Sequence, residues 1–296
     1  MRILLTGPGG FLGSALAHYW VERGHELSLL ARPSSRLDRV ADLSGSVRVV
    51  RATAPNEIAA VVREAMPDAI VHTACSYGRK GESALDVMDA NMRLGVALLQ
   101  AILERNSLEG TLPTLFLNTG TVLEPGVSLY ALSKTQFSAW GAALAASAPQ
   151  QLKFIDIRLQ QMYGPGDDGS KFIAHVIEAC RQNVPRLALT MGEQLRDFIH
   201  IDDVVQAYDR ILERQYEFAE RDSIDVGSGD AVTMRSFVEQ VKQVTGAETV
   251  LDFGAVAYRA TEAMLWVADT KRLRSLGWHP TVPLTIGLRR LIDLGR

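Results

Sequence analysis

The sequence predicts an α/β fold built on a doubly wound parallel sheet with helices on both faces. Three observations support this prediction. Short runs rich in apolar and β-branched residues alternate with longer segments of helical spacing, a glycine-rich turn follows the first run, and 296 residues suffice to bury a large core. The second half of the chain is less regular and predicts a smaller C-terminal lobe, which we expect at the carboxyl edge of the sheet.

The elements of the first half follow from hydrophobic periodicity. Short apolar runs predict strands at 3–5, 27–30, 47–50, 69–72, 115–118 and 154–158. Between them, apolar residues three and four positions apart predict helices over 11–23, 56–65, 84–105 and 129–146.

The second half predicts further helices separated by turns that contain Gly and Pro. These helices span 171–182, 201–215, 234–244 after a Thr233 N-cap, 269–276 before Gly277, and 283–294. We interpret Asp202 and Asp203 as the N-terminus of a helix, where the dipole favours carboxylates, rather than as a metal site. We predict one domain from 1–157 with 198–227, and a second from 158–197 with 228–296.

Composition excludes several classes of protein. The chain is 47% apolar and 22% charged with a net charge of −3, which is too balanced for a nucleic-acid binder or a polybasic membrane binder. No apolar run reaches the roughly 18 residues of a spanning helix, and the chain enters a strand without a signal-peptide pattern. Two cysteines cannot form a disulfide framework or a four-ligand zinc site. We therefore expect a cytoplasmic protein without a metal.

A glycine-rich turn between the first strand and the first helix predicts a nucleotide site. Gly7 can supply the tight turn, Gly10 lets the backbone approach a pyrophosphate, and Gly13 permits close packing of helix on strand. The pyrophosphate would lie at the helix N-terminus, where N–H groups and the dipole favour anions. An ordinary glycine-rich turn is the alternative, but the strand–turn–helix context favours a dinucleotide and a Rossmann fold.

The end of the second strand discriminates between nicotinamide cofactors. An NAD site places an acid there to bind the ribose 2′-hydroxyl, and no carboxylate follows this strand until Asp38. Arg32 and Ser35 instead suit a 2′-phosphate. The alternative interpretation of Arg32 and Arg36 is that they are solvated loop charges. We predict NADPH as the cofactor, with NADH possible.

Tyr130 and Lys134 form a candidate catalytic pair. They are four residues apart on a predicted helix and so share one face. A nearby ammonium favours the phenolate and lowers the pKa of a tyrosine from about 10 toward neutrality. Such a phenol can donate a proton to a carbonyl oxygen or accept one in the reverse reaction.

Together, these two motifs resemble the extended short-chain dehydrogenases/reductases, the family of NAD(P)-dependent sugar-nucleotide epimerases, dehydratases and ketoreductases. Further landmarks in the family's order extend the resemblance over nearly the whole chain. They are His72-Thr73-Ala74, Asn91, Gly95, Arg158, Tyr163-Gly164-Pro165-Gly166, the segment 196–204, Arg259, Ala268-Asp269 and Leu276-Gly277-Trp278.

The resemblance implies roles for particular residues. The family's catalytic serine or threonine lies three residues before a valine, which points to Thr119, with Thr121 as the nearby competitor. Lys134 would also hold the nicotinamide ribose. The predicted cofactor-binding residues are Thr6, Gly7, Gly10, Phe11, Leu12, Gly13, Arg32, Ser35, Ala74, Asn91, Tyr130 and Lys134.

The resemblance also implies a nucleotide-sugar site. Arg196 and Arg259 stand where the family binds the diphosphate, a role that guanidinium geometry suits. A structural salt bridge, for example from Arg196 to Asp202 or Asp203, is the alternative. The remaining predicted substrate residues are Tyr77, Gln161, Lys171 and Phe172. The alternative for Tyr77 is a lid residue that packs on the loop and does not line the sugar pocket.

Three reactions share the family's scaffold, and the residues favour one. A 4,6-dehydratase carries an Asp-Glu pair directly after the catalytic threonine, where this chain has Gly120-Thr121. A 4-epimerase normally has the acid after the second strand, which is absent. The resemblance is closest to nucleotide-sugar 4-ketoreductases of the CDP-abequose synthase type. It implies an NADPH-dependent reduction of the C4 ketone of a nucleoside-diphosphate 4-keto-6-deoxyhexose, in deoxysugar biosynthesis.

Other functions stay open at this point. A nucleotide-sugar epimerase is the alternative enzyme, and Arg196 and Arg259 disfavour a reductase of non-sugar ketones. A redox-sensing regulator of this fold typically loses the tyrosine that is present here. We also predict a homodimer, because the helices 84–105 and 129–146 carry apolar stripes and relatives often pair these helices. The stripes include Val96, Leu98, Leu99, Phe137, Trp140 and Leu144, and their burial within one chain is the alternative.

Overall fold

The computed structural model describes residues 1–109, 112–169 and 171–293, which form two compact units. The first unit comprises Met1–Arg158 with Ile211–Ile224, and the second comprises Leu159–Arg210 with Asp225–Arg296. The predicted division places Arg158 in the second domain and 198–210 and 225–227 in the first, whereas Arg158 belongs to the first unit and both segments belong to the second unit. There the buried Asp203 carboxylate accepts hydrogen bonds from the Thr281 N–H, the Thr281 hydroxyl and the Val282 N–H.

The described residues contain thirteen strands and ten α-helices. The strands are β1 (Arg2–Thr6), β2 (Glu26–Ala31), β3 (Val47–Arg51), β4 (Ala69–His72), β5 (Thr114–Thr119), β6 (Leu152–Leu159), β7 (Gln161–Tyr163), β8 (Arg186–Leu189), β9 (Leu195–His200), β10 (Arg221–Val226), β11 (Ala231–Thr233), β12 (Val250–Phe253) and β13 (Leu265–Trp266). The helices are α1 (Phe11–Glu22), α2 (Pro55–Ala65), α3 (Ala84–Met88), α4 (Leu94–Glu109), α5 (Leu129–Ser147), α6 (Phe172–Arg181), α7 (Ile201–Glu213), α8 (Met234–Thr245), α9 (Lys271–Ser275) and α10 (Leu284–Asp293).

A seven-stranded sheet carries Thr119 of the candidate catalytic residues, at the end of β5. Its strand order is β10-β6-β5-β4-β1-β2-β3, and the pairs from β6 to β3 are parallel. The first six strands thus have the order 3-2-1-4-5-6 of a Rossmann fold, which places their carboxyl ends at one edge. The predicted fold class is confirmed, and each of the six predicted strands is present with its ends extended by at most two residues.

The predicted helix 84–105 is three consecutive segments. Ser83 caps α3 by accepting the Asp86 N–H, a π-helical turn follows over Asp89–Arg93, and α4 continues from Leu94. A π turn inserts one extra residue and re-aims the side chains around it. The buried Asn91 lies within this turn, which explains why one helical period cannot describe the whole stretch.

The apolar stripes of α4 and α5 are mostly core. Leu98, Leu99 and Phe137 are fully buried in the first unit, and Val96 and Leu144 pack partly buried against the same cluster. A side chain at Gly95 would collide with the Phe137 ring, so this glycine permits the close approach of α4 and α5. Of the six stripe residues, only Trp140 is exposed, at 54%. The stripes therefore stabilise the unit itself, and the predicted homodimer stays a prediction.

Within the second unit, β9 is the central strand of a small sheet. It pairs antiparallel with β11 and parallel with β7 and β13, and a separate parallel pair joins β8 to β12. The predicted N-cap of α8 is confirmed, because Thr233 accepts the Ser236 N–H, and the helix ends at Gly246, which takes a left-handed φ of 67°. The predicted last helix is α10, and its expected final residue, Leu294, lies outside the described residues.

Among the described residues, none of the helices has the length and apolar character needed to span a bilayer.

Candidate active site

The glycine turn forms a cradle whose shape excludes side chains. Gly7 has a left-handed φ of 68°, and a Cβ there would lie 2.8 Å from the Ala74 nitrogen. A Cβ on Gly13 would lie 2.2 Å from the Gly7 carbonyl oxygen, so the first turn of α1 packs directly on the loop. Gly10 caps α1 without a side-chain hydrogen bond, and no acidic residue lies in the first turn. An uncapped helix N-terminus without side chains fits the pyrophosphate of a dinucleotide.

Thr6 ties this cradle to the end of β4. Its buried hydroxyl contacts the His72 Nδ1 at 2.9 Å and accepts the Ala74 N–H, and its carbonyl accepts the Thr73 hydroxyl at 2.7 Å. The predicted cofactor residues Thr6, Gly7, Gly10, Gly13 and Ala74 thus share one edge of the sheet. Phe11 and Leu12 open α1 beside them.

The predicted 2′-phosphate residues lie on one tight turn. Arg32 to Ser35 form a β-turn, closed by a 3.0 Å hydrogen bond from the Ser35 N–H to the Arg32 carbonyl. The Arg32 side chain is exposed, and within the described part of the chain no hydrogen bond or ion pair holds its guanidinium. Arg36, in contrast, is paired with Asp38 at 2.6 Å. Of the two arginines, Arg32 is the one available to a phosphate.

Thr119 ends β5 at the carboxyl edge of the sheet, opposite Ile157 of β6. The competing Thr121 lies in the following turn, where its hydroxyl accepts the Leu123 N–H at 3.2 Å. Thr121 therefore takes part in the local structure of this turn, whereas Thr119 lies at the carboxyl end of the strand itself, where α/β folds bind ligands.

Tyr130 lies in the first turn of α5, which begins at a Ser128 N-cap. Its ring packs against the Tyr77 ring with centroids 4.7 Å apart and planes inclined at 33°. The Arg79 guanidinium in turn lies 5.3 Å from the Tyr77 centroid. The predicted substrate residue Tyr77 is thus beside the predicted catalytic phenol, within the first unit.

Lys134 is one turn along α5 and is 1% exposed. Its ammonium has no hydrogen-bond partner among the described residues. Burial lowers the pKa of Lys134, while attraction to Cys75 and Asp156 opposes that shift. A buried donor without an acceptor is costly to the fold, which indicates that a ligand completes the site. The ribose hydroxyls of a dinucleotide have the acceptors that this ammonium lacks.

Asn91 positions the segments around Tyr130. Its side-chain amide accepts the Ser76 N–H at 2.7 Å and donates to the Ser76 carbonyl and to the Ser133 hydroxyl, each at 2.9 Å. Ser133 donates onward to the Tyr130 carbonyl. A single buried amide therefore fixes the loop after β4 against the first turn of α5.

Sequence reasoning misses Asp156, which lies on β6 behind Thr119. Its carboxylate accepts hydrogen bonds from Asn118 at 2.6 Å and Ser138 at 2.8 Å. Burial raises the pKa of Asp156, and these hydrogen bonds with the charge of Lys134 oppose the shift. A carboxylate inside the buried run 154–157 is the signal that could have revealed it, because unpaired acids are rarely buried.

His72 is completely buried at the end of β4, between Phe116 and Phe137. Burial lowers its pKa to about 3, and the charge of Lys134 adds to the shift. The neutral imidazole is therefore part of the packing behind the site.

We expect acid to destabilise the protein through His72. A histidine whose pKa is depressed from 6.5 to about 3 binds its proton in the unfolded state first. Stability is then lost as the pH falls below 6.5, by about 2 kcal/mol between pH 7 and 5. Urea unfolding at the two pH values should show a correspondingly smaller loss for His72→Gln. The exposed His175→Gln is the control and should keep the wild-type loss; an equal loss in all three proteins would contradict the assignment.

In the second unit, Arg196 on β9 is 3% exposed and has three contacts. Its guanidinium donates to the Glu262 carboxylate at 2.5 Å and to the Leu195 carbonyl at 2.8 Å, and it lies 4.1 Å from the Trp266 ring centroid. The alternative of a salt bridge is therefore correct in kind, but the partner is Glu262, not Asp202 or Asp203.

Apart from Tyr77, the other predicted substrate residues also lie in the second unit. Arg259 is exposed in the turn that presents Glu262, whose N–H donates to the Arg259 carbonyl. Lys171 precedes α6 and is paired with Asp167 at 2.8 Å, and Phe172 is 44% exposed at the start of that helix. Gln161 opens β7 opposite Phe198.

Comparison with known proteins finds a family model and curated relatives that agree with each other. A family model described as the NAD dependent epimerase/dehydratase family matches residues 3–227. CDP-abequose synthase of Salmonella typhimurium is 29% identical over 98% of this chain and 97% of its own length. dTDP-4-dehydro-6-deoxyglucose reductase of Escherichia coli is 26% identical over 98% and 96% of the two chains.

Solved structures show the same fold. A UDP-glucose 4-epimerase from Thermotoga maritima, solved with UDP-glucose, has a TM-score of 0.82 and 20% sequence identity over 100% of this chain and 99% of that one. At this identity the likeness shows the architecture.

Proposed function

We propose that this chain, which belongs to the NAD dependent epimerase/dehydratase family, reduces the C4 ketone of a nucleoside-diphosphate 4-keto-6-deoxyhexose with NADPH. The chain is an NAD(P)-dependent oxidoreductase, as its motifs predict. The near full-length similarity to a CDP-abequose synthase and to a dTDP-4-dehydro-6-deoxyglucose reductase supports a role in deoxysugar biosynthesis. NADPH is proposed over NADH because Arg32 and Ser35 stand where an NAD site has an acid.

The residues of the first unit divide the chemistry between them. The bound reduced nicotinamide supplies a hydride. The Tyr130 hydroxyl donates a proton to the substrate oxygen, and the Thr119 hydroxyl donates a hydrogen bond to the same oxygen. Lys134 holds the nicotinamide ribose, and its positive charge favours the phenolate that Tyr130 becomes. Asn91 keeps the first turn of α5 in place.

One observation carries the choice of reduction over dehydration. A Cβ at Gly120 would lie 2.6 Å from one Asp156 carboxylate oxygen and 2.8 Å from the other. A side chain directly after Thr119 would therefore displace the Asp156 carboxylate, and this chain has no acid there for the Asp-Glu pair of a dehydratase. With no such pair beside Thr119, we assign proton donation to Tyr130, which suits ketone reduction.

NADPH oxidation, followed by its absorbance, tests the proposal directly. The substrates are 4-keto-6-deoxyglucose linked to CDP, dTDP, UDP or GDP. We expect consumption with one of them, first of all the CDP sugar, because of the similarity to CDP-abequose synthase. If protein that is shown to bind NADPH consumed none of it with any of the four sugars, the proposal would be contradicted. The result would favour an epimerase, or a reductase of a non-sugar ketone.

We propose Arg196 and Arg259 as the diphosphate ligands, which makes Glu262 a competitor for Arg196. The Glu262 carboxylate occupies the guanidinium that a diphosphate needs. Glu262→Gln keeps the shape and removes the charge, so we expect CDP to bind about threefold to tenfold more tightly. Isothermal titration calorimetry with CDP measures this change.

Glu239→Gln is the matched control for that experiment. Glu239 also pairs with an arginine, Arg235, on the surface of the same unit. CDP affinity should be unchanged in this variant. Weaker CDP binding by Glu262→Gln would show that the pair holds Arg196 in its binding position rather than competing for it.

We also propose a homodimer, which now rests on the exposed apolar residues of α5 alone, because the other stripe residues are buried or partly buried within the first unit. The exposed apolar residues Leu129, Leu132 and Trp140 lie on α5. Light scattering of wild type and Trp140→Glu measures the mass, and a dimer that dissociates on this substitution supports pairing through α5.

A further inference from the structure

Arg51, the last residue of β3, reaches back over the turn that carries Arg32 and Ser35. Its Nη1 lies 2.8 Å from the Arg32 carbonyl oxygen, 2.8 Å from that of Pro33 and 3.2 Å from that of Ser35. One guanidinium nitrogen therefore gathers three of the four carbonyl groups of the turn.

The position of Arg51 follows from the sheet. Arg51 pairs in register with Ala31, the last residue of β2, and the Ala52 N–H donates to the Ala31 carbonyl. The end of β3 thus lies beside the start of the turn, at the carboxyl edge where α/β folds bind ligands.

We propose that Arg51 is a positioning residue for the choice of NADPH over NADH, acting by holding the Arg32–Ser35 turn in the shape that presents its side chains to a 2′-phosphate. This inference rests on the proposed NADPH dependence. Three carbonyl oxygens converge only if a donor offsets their mutual repulsion, and the two N–H groups of Nη1 supply it.

Apart from Arg51, Pro33 fixes one backbone angle of the turn, but it does not hold the carbonyl groups together. The turn is exposed at Arg32, Pro33 and Ser34, and its own closing hydrogen bond joins the Ser35 N–H to the Arg32 carbonyl. Without Arg51, the ends of this bond would compete with water. The backbone at Arg32 would then be less ordered. Binding a phosphate would have to order both this backbone and the Arg32 side chain, which costs more conformational entropy.

The matched control is Arg48, on the same strand. Its guanidinium pairs with Glu64 of α2 and is 50% exposed. Arg48→Met removes an arginine of the same charge from β3 without touching the turn. Arg51→Lys keeps a cation with N–H donors at the end of a flexible chain and so restores part of the contact.

Fluorescence titration with NADPH and with NADH tests the proposal. We expect Arg51→Met to weaken NADPH binding about tenfold and NADH binding less than about threefold, because the lost contacts serve the 2′-phosphate. Arg51→Lys should fall between Arg51→Met and wild type, and Arg48→Met should keep the wild-type ratio. Thermal protection by 2′,5′-ADP, but not by 5′-AMP, should drop in Arg51→Met in parallel.

The outcomes separate this inference from the proposed cofactor. Wild type that binds both cofactors equally contradicts the NADPH proposal itself. Wild type that prefers NADPH, with the same ratio in Arg51→Met, overturns the role of Arg51 alone. An equal loss of both cofactors in Arg51→Met would also overturn it, since general damage to the fold lowers both.

Discussion

Replacing Tyr130 by phenylalanine is expected to reduce turnover by about 10²–10⁴-fold, since it removes the proton donor from the substrate oxygen. The change deletes one oxygen and leaves the ring that packs on Tyr77. Cofactor affinity should therefore change little. Steady-state NADPH oxidation measures turnover, and fluorescence titration measures binding.

Tyr216→Phe is the matched control for this experiment. Tyr216 is 87% exposed and belongs to the first unit by packing. It should retain full activity. A Tyr130→Phe enzyme with wild-type turnover would show that another group, with Thr119 first among the candidates, delivers the proton.

The local parts of the site are those that the sequence predicts well. The glycine cradle depends on residues within one strand–turn–helix unit, and the spacing of Tyr130 and Lys134 is one helical turn. Each is fixed by backbone geometry over fewer than about ten residues. Short continuous apolar runs likewise place the six parallel strands, because helices cover both faces of such a sheet and strands like β1, β4 and β5 are buried on both sides.

The contacts that set charge in the site are distant in sequence and are not predictable in this way. Asp156 meets Asn118 across 38 positions, and Glu262 meets Arg196 across 66. Neither Asp156 nor Glu262 lies within a recognisable sequence motif. The sequence shows that Arg196 needs an anion, but Asp202 and Asp203 are nearer in the chain and are the wrong partners.

The stripes on α4 and α5 show a second limit. A run of apolar residues predicts a buried face but does not identify what buries it. Leu98, Leu99 and Phe137 are covered by their own unit, where Gly95 brings the two helices together. Side-chain volume at one small residue decides this packing, and periodicity does not record it.

The proposed catalytic role of Lys134 and its effect on the free energy of unfolding are expected to oppose each other. Lys134→Met should separate the two effects. The ammonium is buried without a hydrogen-bond partner among the described residues, so its removal should raise the free energy of unfolding of the cofactor-free protein by about 1–3 kcal/mol. Turnover should fall by at least about 10²-fold, because the nicotinamide ribose loses its ligand and Tyr130 its neighbouring charge. Urea unfolding and NADPH oxidation measure the two effects.

The pH dependence of that gain gives an independent check. Burial lowers the pKa of Lys134, so the unfolded state holds its proton more tightly. The penalty for burying the ammonium is full below the folded-state pKa and fades as the pH rises from that pKa toward about 10.5, where the unfolded lysine also loses its proton. Wild type should therefore approach the stability of Lys134→Met as the pH rises from 7 to 10.

Lys153→Met is the control, and we expect it to have the opposite sign. Lys153 donates to the Gln215 carbonyl at 3.0 Å and the Phe218 carbonyl at 2.8 Å, so replacing it removes a charged donor from two carbonyl groups and destabilises the protein. If Lys134→Met also destabilised the protein, the ammonium would have a partner in the cofactor-free state, and the argument that a ligand completes its hydrogen bonding would fail. A stabilised, inactive Lys134→Met beside a destabilised Lys153→Met would show that this buried charge is retained for the reaction and not for the fold.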